Sequence, residues 1–104
     1  MKPSEVLFKA WKLFRGGKGW GRGVYRQEIN GEVCYCVSGA ILHAENYATP
    51  VYKSSLARRY LRNALQESTG RRGIVAFNDD PKTTYADISR LFRRAAQMAR
   101  EEGR

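Results

Sequence analysis

Two cysteines stand two residues apart in "EVCYCVSGAILHA", and the chain's single histidine, His43, follows seven residues after Cys36. In an extended segment, Cys34 and Cys36 share one face. Cys36 falls just before Gly39-Ala40, where a helix is expected to begin. Free N–H groups and the helix dipole at such a point lower a thiol pKa, which is the placement of a nucleophile. His43 is a poor base for it. Were both residues helical, seven positions would separate them by about 10.5 Å along the axis, and proton transfer needs about 3 Å. Asn78 and Asp79 are the other partners, and only the fold can bring them to Cys36. Cys36, Asn78 and Asp79 thus form the candidate catalytic set of a thiol-dependent enzyme. The plainer alternative makes Cys36 a small buried residue at a tight strand-to-helix junction. It makes "NDDP", from Asn78 to Pro81, a turn held by its own side chains. That alternative weighs more, because a reactive thiol needs an exposed, electropositive setting. Cys-x-Cys is not the usual zinc spacing, so no metal and no cofactor is expected.

The cations are the second chemical resource. Of 104 residues, 19 are Lys or Arg and 10 are Asp or Glu, a net charge of +9. Residues 1–26 carry +6, residues 27–52 carry −3 and residues 53–104 carry +6. Clustered basic charge attracts polyanions whatever the fold. Arg58, Arg59 and Arg62 form one helical ridge. Arg90, Arg93 and Arg94, with Arg71 and Arg72 nearby, form another. If the ridges meet they make a groove for phosphates, which arginine grips bidentately. If they point apart they are two solvated faces. Lys18 and Arg22 add charge, and Trp20 or Tyr25 offers a surface on which a base stacks. The candidate ligand-binding residues are therefore Lys18, Trp20, Arg22, Tyr25, Arg58, Arg59, Arg62, Arg93 and Arg94.

These residues need elements to position them. Ser4 is placed to cap a first helix whose apolar stripe is Leu7, Ala10, Trp11 and Phe14. Gly16 and Gly17 end it. "VYRQEI" and "EVCYC" read as strands joined by Asn30-Gly31, a strong hairpin signal. "SGAILHAENY" reads as a short helix, and Thr49-Pro50 breaks the chain or opens the next one. "SSLARRYLRNALQES" predicts a helix burying Leu56, Tyr60, Leu61, Ala64 and Leu65, stopped by Gly70. "GIVAF", residues 73–77, reads as a third strand added to the hairpin. Thr84 and Asp87 form a capping box for a last helix with the stripe Ile88, Leu91, Phe92, Ala95, Ala96 and Ala99. The expected fold is one α+β domain over residues 1–104, in the order α-β-β-α-α-β-α. A small antiparallel sheet, hairpin plus one short strand, is covered by about four helices.

"GGKGWGRG", Gly16 to Gly23, invites a phosphate-cradle reading. Such a loop leaves a strand and opens a helix, so that N–H groups face the anion. This one leaves a helix and opens a strand. It reads instead as a flexible joint carrying Lys18 and Arg22, with Trp20 and Gly23 anchoring the hairpin. No apolar run approaches the ~18 residues of a membrane-spanning helix. "MKPSEVLFKAWKLF" lacks the apolar centre of a secretory signal. A cytoplasmic protein with free thiols is expected, and no membrane partner.

Trp20 and Gly23, then Cys36, Gly39 and Ala40, then Phe77, Asn78 and Asp79, and finally Thr84 give a frame: Trp-x-x-Gly, Cys-x-x-Gly-Ala, aromatic-Asn-Asp and a closing helix begun by Thr. Over residues 19–100 the chain resembles a family of small uncharacterised proteins from actinobacteria, related bacteria and their phages. Phe77 stands where that frame has Trp, and the "GGK" glycines lie outside it. The resemblance implies the same element order and a phage or bacterial accessory role, with counter-defence or host takeover as one form. It implies no reaction.

The expected function is a small, basic, non-enzymatic binding protein whose partner is nucleic acid or a nucleotide. The alternatives are the thiol enzyme built on Cys36 and a protein–protein adaptor with an apolar patch near Tyr47, Val51 and Tyr52.

Overall fold

The computed structural model describes residues 1–46 and 55–104. The patch expected at Tyr47, Val51 and Tyr52, and the break at Thr49-Pro50, lie outside the described residues. The chain folds as a small α+β protein: α1 (Pro3–Leu13), a 3-10 turn (Arg15–Gly17), β1 (Arg26–Ile29), β2 (Glu32–Tyr35), α2 (Val37–Ala44), α3 (Leu56–Thr69), α4 (Ile74–Asp79) and α5 (Tyr85–Glu101).

α1 begins at Pro3, whose fixed φ suits the first helical position, with Lys2 as its cap. Ser4 was expected to be that cap. It lies instead inside the first turn, and its N–H and Oγ donate to the Arg104 carbonyl at 3.1 and 2.9 Å. This contact ties the two chain ends together. Leu7, Ala10 and Phe14 form the buried stripe. At the helix end the backbone turns left-handed at Gly16 and Gly17, φ +70° and +107°.

β1 and β2 pair antiparallel, from Arg26 opposite Tyr35 to Ile29 opposite Glu32. Asn30 and Gly31 make the turn at φ +52° and +81°, the geometry that a two-residue hairpin demands. The stretch expected to be a flexible joint is pinned along β2. The Tyr35 N–H donates to Gly19 O at 2.8 Å, and the Gly21 N–H donates to Tyr35 O at 3.0 Å.

Residues 73–77 do not form a strand. The sheet has two strands, and α4 occupies this segment. A five-residue apolar run carries no period that separates a strand from a buried helical turn. Only Ile74 and Asn78 of α4 are buried, a spacing of four that belongs to a helix.

α3 starts on Ser55, whose Oγ accepts the Arg58 N–H at 3.1 Å, and stops at left-handed Gly70. The expected capping box of α5 is present: the Thr84 N–H donates to Asp87 Oδ2 at 2.9 Å, and the Asp87 N–H donates to Thr84 Oγ1 at 3.3 Å. α1 packs on α2 and α5, and α5 on α3. Leu7, Phe14, Ile41, Leu61, Leu65, Ile88 and Phe92 fill the core. Phe14 meets the Phe92 ring edge-on at 5.4 Å. Among the described residues no helix is long and apolar enough to cross a membrane.

Candidate functional site

Two residues of the sequence frame, Trp20 and Asp79, bond to the side chain of a third, Asn78. It sits in the last turn of α4 and is buried. Its Oδ1 accepts the Trp20 Nε1–H and the Val37 N–H, both at 2.9 Å. Its Nδ2 donates to Gly21 O and Asp79 Oδ1, both at 3.0 Å. An amide side chain has two donors and two acceptor sites, so Asn78 is saturated. Asp79 Oδ1 also accepts the Gly23 N–H at 2.9 Å. The glycine-rich stretch, the start of α2 and the end of α4 are thus knotted together. Asn78 is therefore a structural hub and not part of a simple turn.

The fold does bring Cys36 to Asp79. With Gly23, Val24, Tyr25 and Val75 they line a cavity of about 200 Å³. The chemistry there is unlike that expected from the helix N-terminus. Cys36 caps α2, and the Gly39 N–H donates to its Sγ at 3.3 Å. Burial nonetheless pushes the thiol above its ordinary pKa. The hydrogen bonds from Gly39 and Ser38 oppose that rise, and the Asp79 charge adds to it. The expected lowering fails because a buried thiolate beside a carboxylate is worse placed than a neutral thiol. Cys36 therefore stays protonated at neutral pH. We expect alkylation of Cys36 in the folded protein to be more than about tenfold slower than in urea, measured by mass spectrometry of iodoacetamide adducts. Fast labelling of Cys36 alone at neutral pH would restore the thiol-enzyme reading. His43 takes no part in that cavity. It is exposed, and its Nδ1 lies 3.4 Å from the Tyr35 hydroxyl. Cys34 is buried, with Sγ 3.4 Å from Lys18 O.

Trp20 and Arg22 are paired with each other. The Arg22 guanidinium lies 4.5 Å from the centre of the Trp20 ring, and it also donates to the Thr83 carbonyl. The Tyr85 ring also neighbours Trp20, its centre 6.2 Å away and its plane tilted by 47°. Lys18 and Tyr25 are exposed.

The arginines divide into three groups. Arg58, Arg59 and Arg62 lie on α3 as one ridge, and Arg72 joins them. The Arg62 guanidinium is pushed below the usual arginine value by burial first, then by the positive charges of Arg58, Arg72 and Arg59. Arg58 donates to Ser38 Oγ at 3.1 Å and Arg72 to Gln66 Oε1 at 2.6 Å, both neutral partners. Sequence reasoning assigned Arg72 to the other ridge; the turn after Gly70 swings it back along α3. Arg94 faces α3, where its guanidinium meets Glu67 twice at 2.8 Å. Glu67 holds the Arg94 charge firmly on, raising its pKa. Arg93 faces the other way, toward Leu7, Phe8 and Trp11 of α1. The two ridges therefore do not make one groove.

A cleft of about 510 Å³ lies between α3, α4 and the start of α5. Arg71, Lys82, Arg90 and Arg94 line it, with Asp80, Asp87, Thr83 and Phe77. Arg71 pairs with Asp80 at 3.2 Å and sits 5.8 Å from the Phe77 ring centre. Arg90 pairs with Asp87 at 2.5 Å. Lys82 makes no ion pair among the described residues. The sequence gives no sign of this cleft, because its walls come from three elements and from the loop between α4 and α5.

No curated protein and no solved structure matches the chain. A family model does match it over residues 1–98, nearly its whole length, and the chain belongs to that family, the family of unknown function DUF6197.

Proposed function

We propose that the chain is a non-enzymatic binding protein for nucleic acid, with the arginine ridge of α3 and Arg72 as its contact surface. One observation carries this reading: Arg58, Arg59, Arg62 and Arg72 lie close together, so that burial first and then the positive charges of Arg58, Arg72 and Arg59 hold the Arg62 guanidinium below the usual arginine value. Like charges held this near one another destabilise the free protein, and a phosphate backbone laid along them relieves the repulsion. The buried face of α3 is Ala57, Tyr60, Leu61, Ala64 and Leu65, so the ridge is presented by a helix whose other side is fixed in the core. A rigid row of guanidiniums reads phosphates and shape, which predicts affinity without sequence preference.

The test is fluorescence anisotropy with labelled single-stranded and duplex DNA. Neutralising three phosphates gives a salt slope of about −2.7, hence roughly fortyfold weaker binding at about 200 mM salt than at about 50 mM. Arg59→Ala/Arg62→Ala/Arg72→Ala is expected to flatten that slope, and Arg93→Ala to leave it unchanged. Absence of binding at the lower salt, or an unchanged slope in the triple variant, overturns the reading.

A single nucleotide in the large cleft is the second reading, favoured by Lys82 and the Arg71–Phe77 stack in one cavity. It predicts binding that Lys82→Ala weakens and the α3 triple variant does not.

A further inference from the structure

We infer that the groove between α1 and α5 is a docking surface for an acidic amphipathic helix of a partner protein. The floor is Leu7, Phe92 and Ala96, and Phe8 and Trp11 form one wall. The groove holds about 200 Å³, enough to seat one large apolar side chain. Its wall is not a core surface that merely reaches solvent. Phe8 is 54% exposed, although it lies next to the fully buried Leu7. Phe8 stacks on Trp11 with ring centres 6.0 Å apart and planes 23° from parallel. Trp11 is fixed from behind, its Nε1–H donating to Ser89 Oγ of α5 at 3.2 Å. An exposed aromatic ledge held this rigidly loses little freedom when a partner covers it.

The rim says what kind of partner fits. Arg93 and Arg100 line the groove from α5, and the Lys12 ammonium lies 4.9 Å from the centre of the Phe8 ring. None of the three pairs with a carboxylate among the described residues. The acids nearest in sequence are engaged elsewhere: Glu101 faces Arg94, Glu102 accepts the Tyr60 hydroxyl, and Glu5 accepts the Lys2 N–H. Arg93 and Arg100 are seven residues apart, two helical turns, about 10.5 Å along the axis. A partner helix laid in the groove meets both with acidic residues at the same i, i+7 spacing, and its apolar anchors fall between them. A second copy of this chain is a poor occupant. Its net charge of +9 would set cations against a cationic rim. The inference stands on different residues from the α3 ridge and does not depend on nucleic-acid binding.

The probe is a synthetic helical peptide with two leucines at i, i+4 and glutamates at i, i+7. Titration is followed by calorimetry and by amide chemical shifts of the labelled protein. Saturable binding is expected, with shifts confined to α1 and α5. Phe8→Ala is expected to weaken it at least about tenfold, the loss of one anchor contact. Arg93→Glu/Arg100→Glu is expected to abolish it, and a peptide with lysines in place of the glutamates to restore it. Both variants change exposed side chains, and retained amide dispersion confirms their fold. Any of four results overturns the proposal: no binding; equal binding by the variants; self-association that Phe8→Ala removes in sedimentation; or partition onto phosphatidylglycerol vesicles in preference to the peptide.

Discussion

Asn78→Ala is expected to cost about 3–5 kcal/mol of folding stability, the largest loss from a single polar side chain in this protein. The reason is what the deletion strands. The Val37 N–H is buried, and its partner is Asn78 Oδ1. The Trp20 indole N–H shares that oxygen, and Gly21 O takes its hydrogen from Asn78 Nδ2. Each buried group left unmade costs about 1–3 kcal/mol, and the methyl group of alanine replaces none of them. Domains of this size hold only about 5–15 kcal/mol in total. A fall of at least about 12 °C in Tm follows, at roughly 4–8 °C per kcal/mol for a small domain. Asn78→Asp separates hydrogen bonding from volume. The introduced carboxylate keeps both acceptor roles but turns a lone pair toward Gly21 O and adds charge beside Asp79. Its pKa in the folded state is raised above the unfolded value, so the protonated form is the one that folding favours. The variant's stability is then greatest below the unfolded carboxyl pKa and falls as pH rises through the folded one. Circular-dichroism melts across pH 4–7 read this directly. A Tm for Asn78→Ala within about 3 °C of wild type, under 1 kcal/mol, would show that the knot is incidental.

Gly39→Ala is expected to cost about 3 kcal/mol or more, for a different physical reason. A methyl group at Gly39 would stand 1.8 Å from the Tyr25 carbonyl oxygen, 2.6 Å from its carbon and 3.0 Å from its Cα. All three atoms are backbone and cannot swing aside as a side-chain tip would. Relief requires α2 to back away from the entry to β1, which opens the packing beneath Ala40 and Ile41. Overpacked cores lose about 1–3 kcal/mol, and more where backbone must move. Gly31→Ala is the matched control. Nothing lies within 4 Å of its Cβ position, but its φ is +81°. That substitution pays only the left-handed strain of about 1–2 kcal/mol. The expected order by chemical denaturation is Gly39→Ala well below Gly31→Ala, with both below wild type. The reverse order would mean that the close approach at Gly39 is relieved at less cost than the left-handed strain at Gly31.

The two variants bear on what the sequence frame means. Trp20, Gly23, Cys36, Gly39, Asn78 and Asp79 looked like candidates for a site because they are chemically distinctive. In the fold they meet around one buried amide and one backbone contact, and the meeting holds three segments in place. The same arrangement buries Cys36 beside Asp79; burial, with a smaller contribution from the Asp79 charge, raises the thiol pKa and works against a nucleophile. The cationic surfaces proposed for binding lie elsewhere, along the arginine ridge of α3 and the groove between α1 and α5.

Some of this protein is written in local pattern. The helices α1, α3 and α5 follow from apolar residues at spacings of three and four. The hairpin follows from Asn30-Gly31, and the ends of α3 and α5 from Gly70 and from the Thr84–Asp87 box. Each depends on residues within a few positions of one another, where backbone sterics and short hydrogen bonds decide the outcome. The start of α1 lies two residues before the expected one, its cap at Lys2 and not Ser4, because Pro3 and Ser4 each satisfy a rule for helix starts and proline's fixed φ prevails. Residues 73–77 were read as a strand because five apolar residues carry no period; burial of Ile74 and Asn78, a property of the neighbours, made them a helix. The partition of the arginines was beyond any local rule. Arg93 and Arg94 are adjacent, and their separation to α1 and α3 depends on where those helices pack. By itself the sequence determined the hairpin, the long helices α3 and α5 with their stops and caps, and the excess of positive charge, because those are set along the chain. Only the tertiary structure decided which polar groups are buried together and which cations lie side by side, because burial and charge crowding are set between segments distant in sequence.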